Sequence, residues 1–287
     1  MPSSIGTTIG LLVALSILAV PPVAACSCMQ PQHWGFLVPE SGRVPANAVG
    51  VAWHRPAGSR SFSLILAQVS VEEKQRDGTF EQVPAMVEAV SGFDGVFVIG
   101  PRAGLRVGAT YRFTDRGERR GKVPEQVLVT VDAALLEATT PLFLRIWPLY
   151  SETIRVVDGG SCSAPLWVAQ VLTEARLPDL LQGWGHQLLY RTLVGDRTWR
   201  PKRGACQHIP PGRSWRDTTA EDLLYSACPA PTGETGKHRS YQGRSRDRGL
   251  EPTEHVVKVQ AFLPGTDVVL ETEALTADLG CPGHLER

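Results

Sequence analysis

Short β-prone runs, in a chain punctuated throughout by Pro and Gly, constrain this chain more than any other feature. In the first half they are Val49–Trp53, Ser61–Val71, Val83–Val90, Gly95–Gly100, Gly104–Phe113 and Val127–Val131. None keeps a 3.6-residue apolar period over the length of a helix. The 22 Pro and 28 Gly are spread along all 287 residues, as many short strands joined by turns require. Asp77-Gly78 supplies the positive φ of a hairpin turn. This spacing predicts a β-sandwich over 26–132. Inside it, Leu105-x-x-Gly108-x-x-Tyr111 has the form of a tyrosine corner, in which a hydroxyl at the start of a late strand bonds the backbone just upstream.

The second half repeats the pattern. Pro141–Trp147, Thr153–Val157, Leu166–Leu172, His186–Leu193, Leu223–Cys228 and His255–Leu263 read as strands. Pro264-Gly265-Thr266-Asp267 turns the last of them back into Val268–Leu270. Leu250-x-x-x-x-His255 enters its strand as the tyrosine-corner phrase enters the earlier one. These runs predict a second β-sandwich over 139–287, with 132–140 as the junction. Residues 229–251 are polar and rich in Gly and Arg, with little to bury, and read as a long loop of that domain.

The N-terminus gives the compartment. Ile9–Val20 is apolar, Pro21-Pro22 end the run, and Val23-Ala24-Ala25 lead into Cys26-Ser27-Cys28. The run is too short to span a bilayer and suits a secretory h-region, with residues 1–25 as the signal peptide. Plain cleavage leaves Cys26 at the N-terminus; a loose lipobox reading of the same residues puts a lipid on Cys26. No Lys or Arg lies within 1–25, so neither kind of signal is complete. No transmembrane span is expected once the signal is removed. An exported chain with six cysteines points to disulfides, although six allow 15 connectivities. Cys206 and Cys228 flank one loop-and-strand unit, while Cys162 opens and Cys281 closes the second domain. The economical pairing is therefore Cys206–Cys228 and Cys162–Cys281, leaving Cys26 and Cys28 to each other or to a lipid.

The stretch Leu37-Val38-Pro39-Glu40-Ser41-Gly42-Arg43-Val44-Pro45-Ala46-Asn47-Ala48, followed by Val51-Ala52-Trp53, resembles the opening of bacterial Ig-like domains. With the Ala25-Cys26-Ser27-Cys28 leader before it, it is similar to a group of exported proteins from GC-rich bacteria. The resemblance implies an all-β protein with two Ig-like β-sandwich domains in tandem after a signal peptide. It implies no established activity and supplies no catalytic residues. An N-terminal Cys-x-Cys also resembles that of netrin-like inhibitor modules, but the later cysteine spacing departs from theirs.

The chemistry reads as non-enzymatic. Lys+Arg and Asp+Glu are equal at 29 each, which gives no basic excess for nucleic acid. GxSxG, HExxH and SxxK are absent. The histidines are scattered, with His186 and His208 as the pair that convergence in the second domain would bring together. Cysteine spacing offers no metal motif, and no cofactor is expected. Trp167, Trp184, Trp199 and Trp215 gather in the second half. Trp199 and Trp215 lie in loop-like surroundings and are the candidates for stacking on a ligand. The first expectation is an exported structural or interaction protein of the bacterial cell envelope or exterior, periplasmic, secreted or anchored to the outer membrane. Its partner would be an envelope protein or glycan. The alternative is a carbohydrate-binding protein using the loop tryptophans, and the third is a hydrolase. Export is checked by intact mass: protein from its native host should begin at Cys26, with a diacylglycerol mass if Cys26 is lipidated. A chain beginning at Met1 would refute export.

Overall fold

The structure, a computed structural model, describes residues 35–37, 41–54, 67–93, 95–116, 125–157, 163–199, 220–229 and 248–281. The leader with Cys26 and Cys28, Cys162, Cys206, His208, Trp215 and most of the 229–251 loop lie outside them.

Among the described residues the first half forms nine strands: Gly35–Leu37 (β1), Arg43–Val44 (β2), Val51–His54 (β3), Val69–Lys74 (β4), Phe80–Val83 (β5), Ala85–Ala89 (β6), Val96–Pro101 (β7), Thr110–Asp115 (β8) and Glu125–Val131 (β9). They make two sheets, in the orders β1-β3-β7-β6 and β2-β9-β8-β4-β5. All pairings are antiparallel except β2 with β9, which run parallel. The expected single strand Val83–Val90 is broken at Pro84. Proline cannot donate to a ladder, and there the chain leaves one sheet for the other. The expected hairpin at Asp77-Gly78 forms, with Gly78 at φ 87° and Gln75 N–H donating to Thr79 O at 2.8 Å.

Strand alternation aims one face of each sheet at the other. Val51, Trp53 and Ile99 meet Val71, Tyr111, Phe113 and Val129 in a shared buried cluster. Two polar bonds add direction to this apolar contact. Trp53 Nε1 on β3 donates to Asp115 Oδ2 on β8 at 3.2 Å and so ties the two sheets together inside the core. The Arg106 N–H donates to the Tyr111 hydroxyl at 3.1 Å, with Tyr111 1% exposed. This is the tyrosine corner that the spacing predicts.

The second half contains Phe143–Val157 (β10), Ser163–Arg176 (β11), Leu189–Val194 (β12), Arg197–Thr198 (β13), Glu221–Ala227 (β14), Glu254–Phe262 (β15), Val269–Glu271 (β16) and Leu275–Asp278 (β17). One sheet has the order β10-β11-β14; the other has β13-β12-β15-β16, with β17 also on β15. The two runs expected at 141–147 and 153–157 are one 15-residue strand, with an irregularity between Leu149 and Glu152. His186 falls in a 3-10 helix, Asp179–Gln187, so the strand expected from it starts at Leu189. The phrase entering β15 behaves as its spacing suggests. His255 Nε2 lies 2.8 Å from the Glu251 carbonyl oxygen and donates to it. Tyr190 closes a third such corner, its hydroxyl donating to Gly185 O at 2.8 Å, and burial raises its pKa.

Among the described residues no β-ladder crosses 132–140, yet packing does. The largest cluster joins Val44, Val131 and Leu136 to Leu142, Trp184, Leu188 and Val259. The outer face of the β1-β3-β7-β6 sheet, at Ala52 and Val96, is covered by Leu189 and Phe262. Gly265, at φ 74°, sits so close to Val49 and Val98 that a Cβ there would meet both. At the junction itself, Asp132 accepts a charged bond from Arg43 Nε at 2.7 Å and one from Trp184 Nε1 at 3.1 Å. Arg43 holds the Asp132 carboxyl below its ordinary pKa, against the opposing effect of burial.

The cysteine expectation needs correction. Cys228 is bonded to Cys281, with Cα atoms 5.5 Å apart and a sequence separation of 53. This excludes both Cys206–Cys228 and Cys162–Cys281. Cys228 follows β14 in one sheet and Cys281 follows β17 in the other, so the bond closes the two sheets at one end. Economy of loops along the chain does not reveal which strand ends meet in space.

Two measurements check this fold. Tyr111→Phe should lower unfolding free energy in urea by about 1–2 kcal/mol, because it leaves the Arg106 N–H without its acceptor; an unchanged midpoint would remove the corner's role. Non-reducing peptide mapping should recover a Cys228–Cys281 peptide, and Cys281→Ser should cost up to about 4 kcal/mol on the chain-entropy estimate for a loop of this length.

Candidate interaction surface

The described parts of the chain offer little that resembles a catalytic site. Among the described residues no group of three or more His, Cys, Asp or Glu is placed to hold a metal ion. A cleft of about 460 Å³ opens beside residues 69–71 and 82–85, and no acidic, basic or histidine side chain lines it. Among the described residues no helix is long and apolar enough to cross a membrane.

The tryptophans sort by burial. Trp199 is 9% exposed. Its Nε1 donates to Leu223 O at 3.1 Å and its ring meets Tyr225 edge-on at 5.6 Å. It packs in the second-half core with Leu224 and Val257, leaving no open ring face for a sugar to stack on. Trp215, its proposed companion, lies outside the described residues. Trp184 is buried at the junction, bonded to Asp132. His186 is exposed at the end of the 3-10 helix.

The surface that stands out is the outward face of β10. Phe143, Trp147 and Leu149 are 54%, 46% and 40% exposed. They alternate with Leu144 and Ile146, which pack toward Leu224 and Val257 in the interior. Arg145 stands between Phe143 and Trp147 on the outer face, also exposed. An antiparallel sheet usually turns one face to the core and shows polar residues to water on the other. Here the outer face carries three large apolar side chains beside Arg145, and the inner face is apolar as well.

The neighbours of β10 sharpen the picture. In the ladder, Phe143 lies opposite Arg176, Arg145 opposite Glu174, Trp147 opposite Leu172 and Leu149 opposite Gln170. Glu174 is taken by Arg176 on its own strand, whose Nε donates to it at 2.7 Å. Among the described residues, therefore, Arg145 has no carboxylate partner and Trp147 has no ring contact. Among the described residues β11 is the ladder partner of β10, and on the other edge Leu142, just before the strand, makes a parallel bridge to Thr272 while β17 lies nearby. Pro148 sits on β10, the end strand of the sheet order, where proline is tolerated.

Sequence reasoning placed a strand here but did not single out Trp147. A signal was present in the alternation itself. Phe143, Trp147 and Leu149 share one parity while Leu142, Leu144 and Ile146 share the other, and a strand with one wet face should not be apolar on both. Comparison of the chain with known protein-family models and with curated proteins finds no match in either.

Proposed function

We propose that this chain is an exported, non-enzymatic interaction protein of the bacterial cell envelope or exterior, built from Ig-like β-sandwiches, that docks its partner on the outer face of β10. The observation that carries the docking reading is the exposed Phe143-x-Arg145-x-Trp147-x-Leu149 face of β10. Isolated exposed apolar residues are ordinary, but a row of them on one flat face is a mark of interaction sites. Trp and Arg are also the residues that most often anchor interfaces.

The Ig-like reading draws support from the first half. Its sheet orders, β1-β3-β7-β6 and β2-β9-β8-β4-β5, correspond to A-B-E-D and A′-G-F-C-C′ of an immunoglobulin sandwich. Tyr111 then occupies the corner position at the start of strand F. Phe113 stands two residues later, where antibody domains carry the second cysteine of the B–F disulfide. The Trp53–Asp115 hydrogen bond joins the same two strands, B and F, in place of that covalent link. Export rests on the leader, Ile9–Val20 and Ala25-Cys26.

Capture from envelope fractions tests the docking surface. The immobilised wild-type chain should retain an envelope component that the Phe143→Ser/Trp147→Ser variant loses, with the melting profile of both chains the same. Equal capture by the two would overturn the reading.

A further inference from the structure

We propose that the partner of this face is an anionic phospholipid surface, into whose headgroup layer Phe143, Trp147 and Leu149 insert while Arg145 pairs with a lipid phosphate. The inference rests on the docking reading above and names its partner.

The reasoning starts from the side chains that the face offers. Phe143, Arg145, Trp147 and Leu149 stand in one exposed row on β10. The row is six residue steps long, about 20 Å. An indole, a phenyl ring and a leucine beside an arginine suit the boundary of a bilayer. The apolar side chains enter the acyl edge of the headgroups, and the indole keeps its N–H in the wet layer. The arginine lays its aliphatic stem along them and holds its guanidinium at the level of the phosphates, where the planar fork takes two oxygens at once.

The charges are ordered for that approach. Across the sheet, the row through Arg145 continues to Glu174 on β11 and Glu221 on β14. Glu174 is bonded to Arg176, which leaves Arg145 as the cation of the β10 side. Apolar exposure follows the same gradient. In the row through Trp147, Leu172 on β11 is half-buried and Leu223 on β14 is buried. Apolar surface and positive charge therefore coincide on β10, while the acids stand on the strands behind it. The sheet meets an anionic surface by its β10 side, with Glu221 the farther of the two acids from it.

Other partners fit this face less well. Its three apolar side chains expose about 300 Å² together, taking a fully exposed aromatic side chain as about 200 Å². A stable protein partner, a second copy included, covers about 800 Å² on each side. A fluid lipid surface needs no matching shape, because binding grows with the apolar area buried and the charge attracted. A sugar stacked on the indole takes its orientation from hydrogen-bonding groups around the ring. Beside Trp147 stand Arg145, Leu149 and, across the ladder, Leu172, two of which are apolar.

Co-sedimentation of the mature chain with vesicles, disulfides intact, tests the assignment. Vesicles of phosphatidylcholine with one quarter phosphatidylglycerol should bind the chain more tightly than phosphatidylcholine alone, and about 1 M salt should remove the difference. Phe143→Ser/Trp147→Ser should weaken binding to both kinds of vesicle at least about tenfold. Arg145→Gln should weaken binding to the anionic vesicles about fivefold and leave binding to the neutral ones unchanged. All these chains should melt alike, since the altered side chains are exposed. A wild type that binds neither vesicle, binding unmoved by the double variant, or an Arg145→Gln chain that keeps the full preference for anionic vesicles would each overturn the proposal. A wild type that binds neither vesicle, yet whose envelope capture still depends on Phe143 and Trp147, overturns the lipid partner and leaves the docking reading standing with a protein in its place. A chain that binds neither vesicle and whose capture ignores those residues overturns both.

Discussion

The carboxylate of Asp132 is the point on which the arrangement of the two halves depends. It lies just past the end of β9 and accepts bonds from Arg43 in β2 and from Trp184 in the 3-10 helix. One oxygen takes the guanidinium of the first half and the other takes the indole of the second. The indole is thereby held over the end of the first sandwich, and Leu136, Leu142 and Leu188 close around it in a single apolar cluster. The apolar burial supplies most of the free energy. The polar bonds supply direction, since a partly buried carboxylate tolerates few arrangements other than one that satisfies it. Ser41 adds a second polar tie across the same joint, its hydroxyl donating to Gly183 O at 3.1 Å.

Within each half the entries to long strands are fixed by one repeated device. A side chain near the start of the strand reaches back to the backbone four or five residues upstream. Tyr111 accepts from Arg106, Tyr190 donates to Gly185 and His255 donates to Glu251. Each bond satisfies a backbone group in a turn, where no ladder is available to do so. Each also sets the register of the strand that follows, because the side chain cannot reach if the strand slips by one place. Closure between sheets is achieved differently in the two halves. The first uses Trp53 and Asp115 in the middle of its core. The second uses the Cys228–Cys281 bond at one end.

The outer face of β10 departs from this economy. Three apolar side chains are kept in water, with an arginine whose cross-strand neighbour Glu174 is already bonded to Arg176. Their exposure contributes nothing to the stability of the monomer. Its inner face, by contrast, fits the rest of the chain: Leu144 and Ile146 belong to the second-half core with Val171, Leu224 and Val257. The unusual chemistry is confined to the side that has no partner within the described residues.

What the sequence by itself determined was local. The strands at 96–101, 110–115, 125–131 and 254–262, the hairpin at Asp77-Gly78 and the corner at Tyr111 all follow from alternation, turn residues and spacings of a few positions. These effects act over distances that the chain order already specifies. What tertiary structure decided was long-range. It split the strand at Pro84 between two sheets and joined the runs on either side of residues 150–152 into one strand. It also drew Trp199 into the core and brought Cys228 to Cys281 instead of to a cysteine nearer in sequence. It left Trp147 outside, although Trp147 and Trp199 look alike as letters in a sequence. The difference is physical. Burial depends on which sheet faces which, and that is set by the sum of many weak apolar contacts across the molecule, none of which is visible in a single stretch of residues.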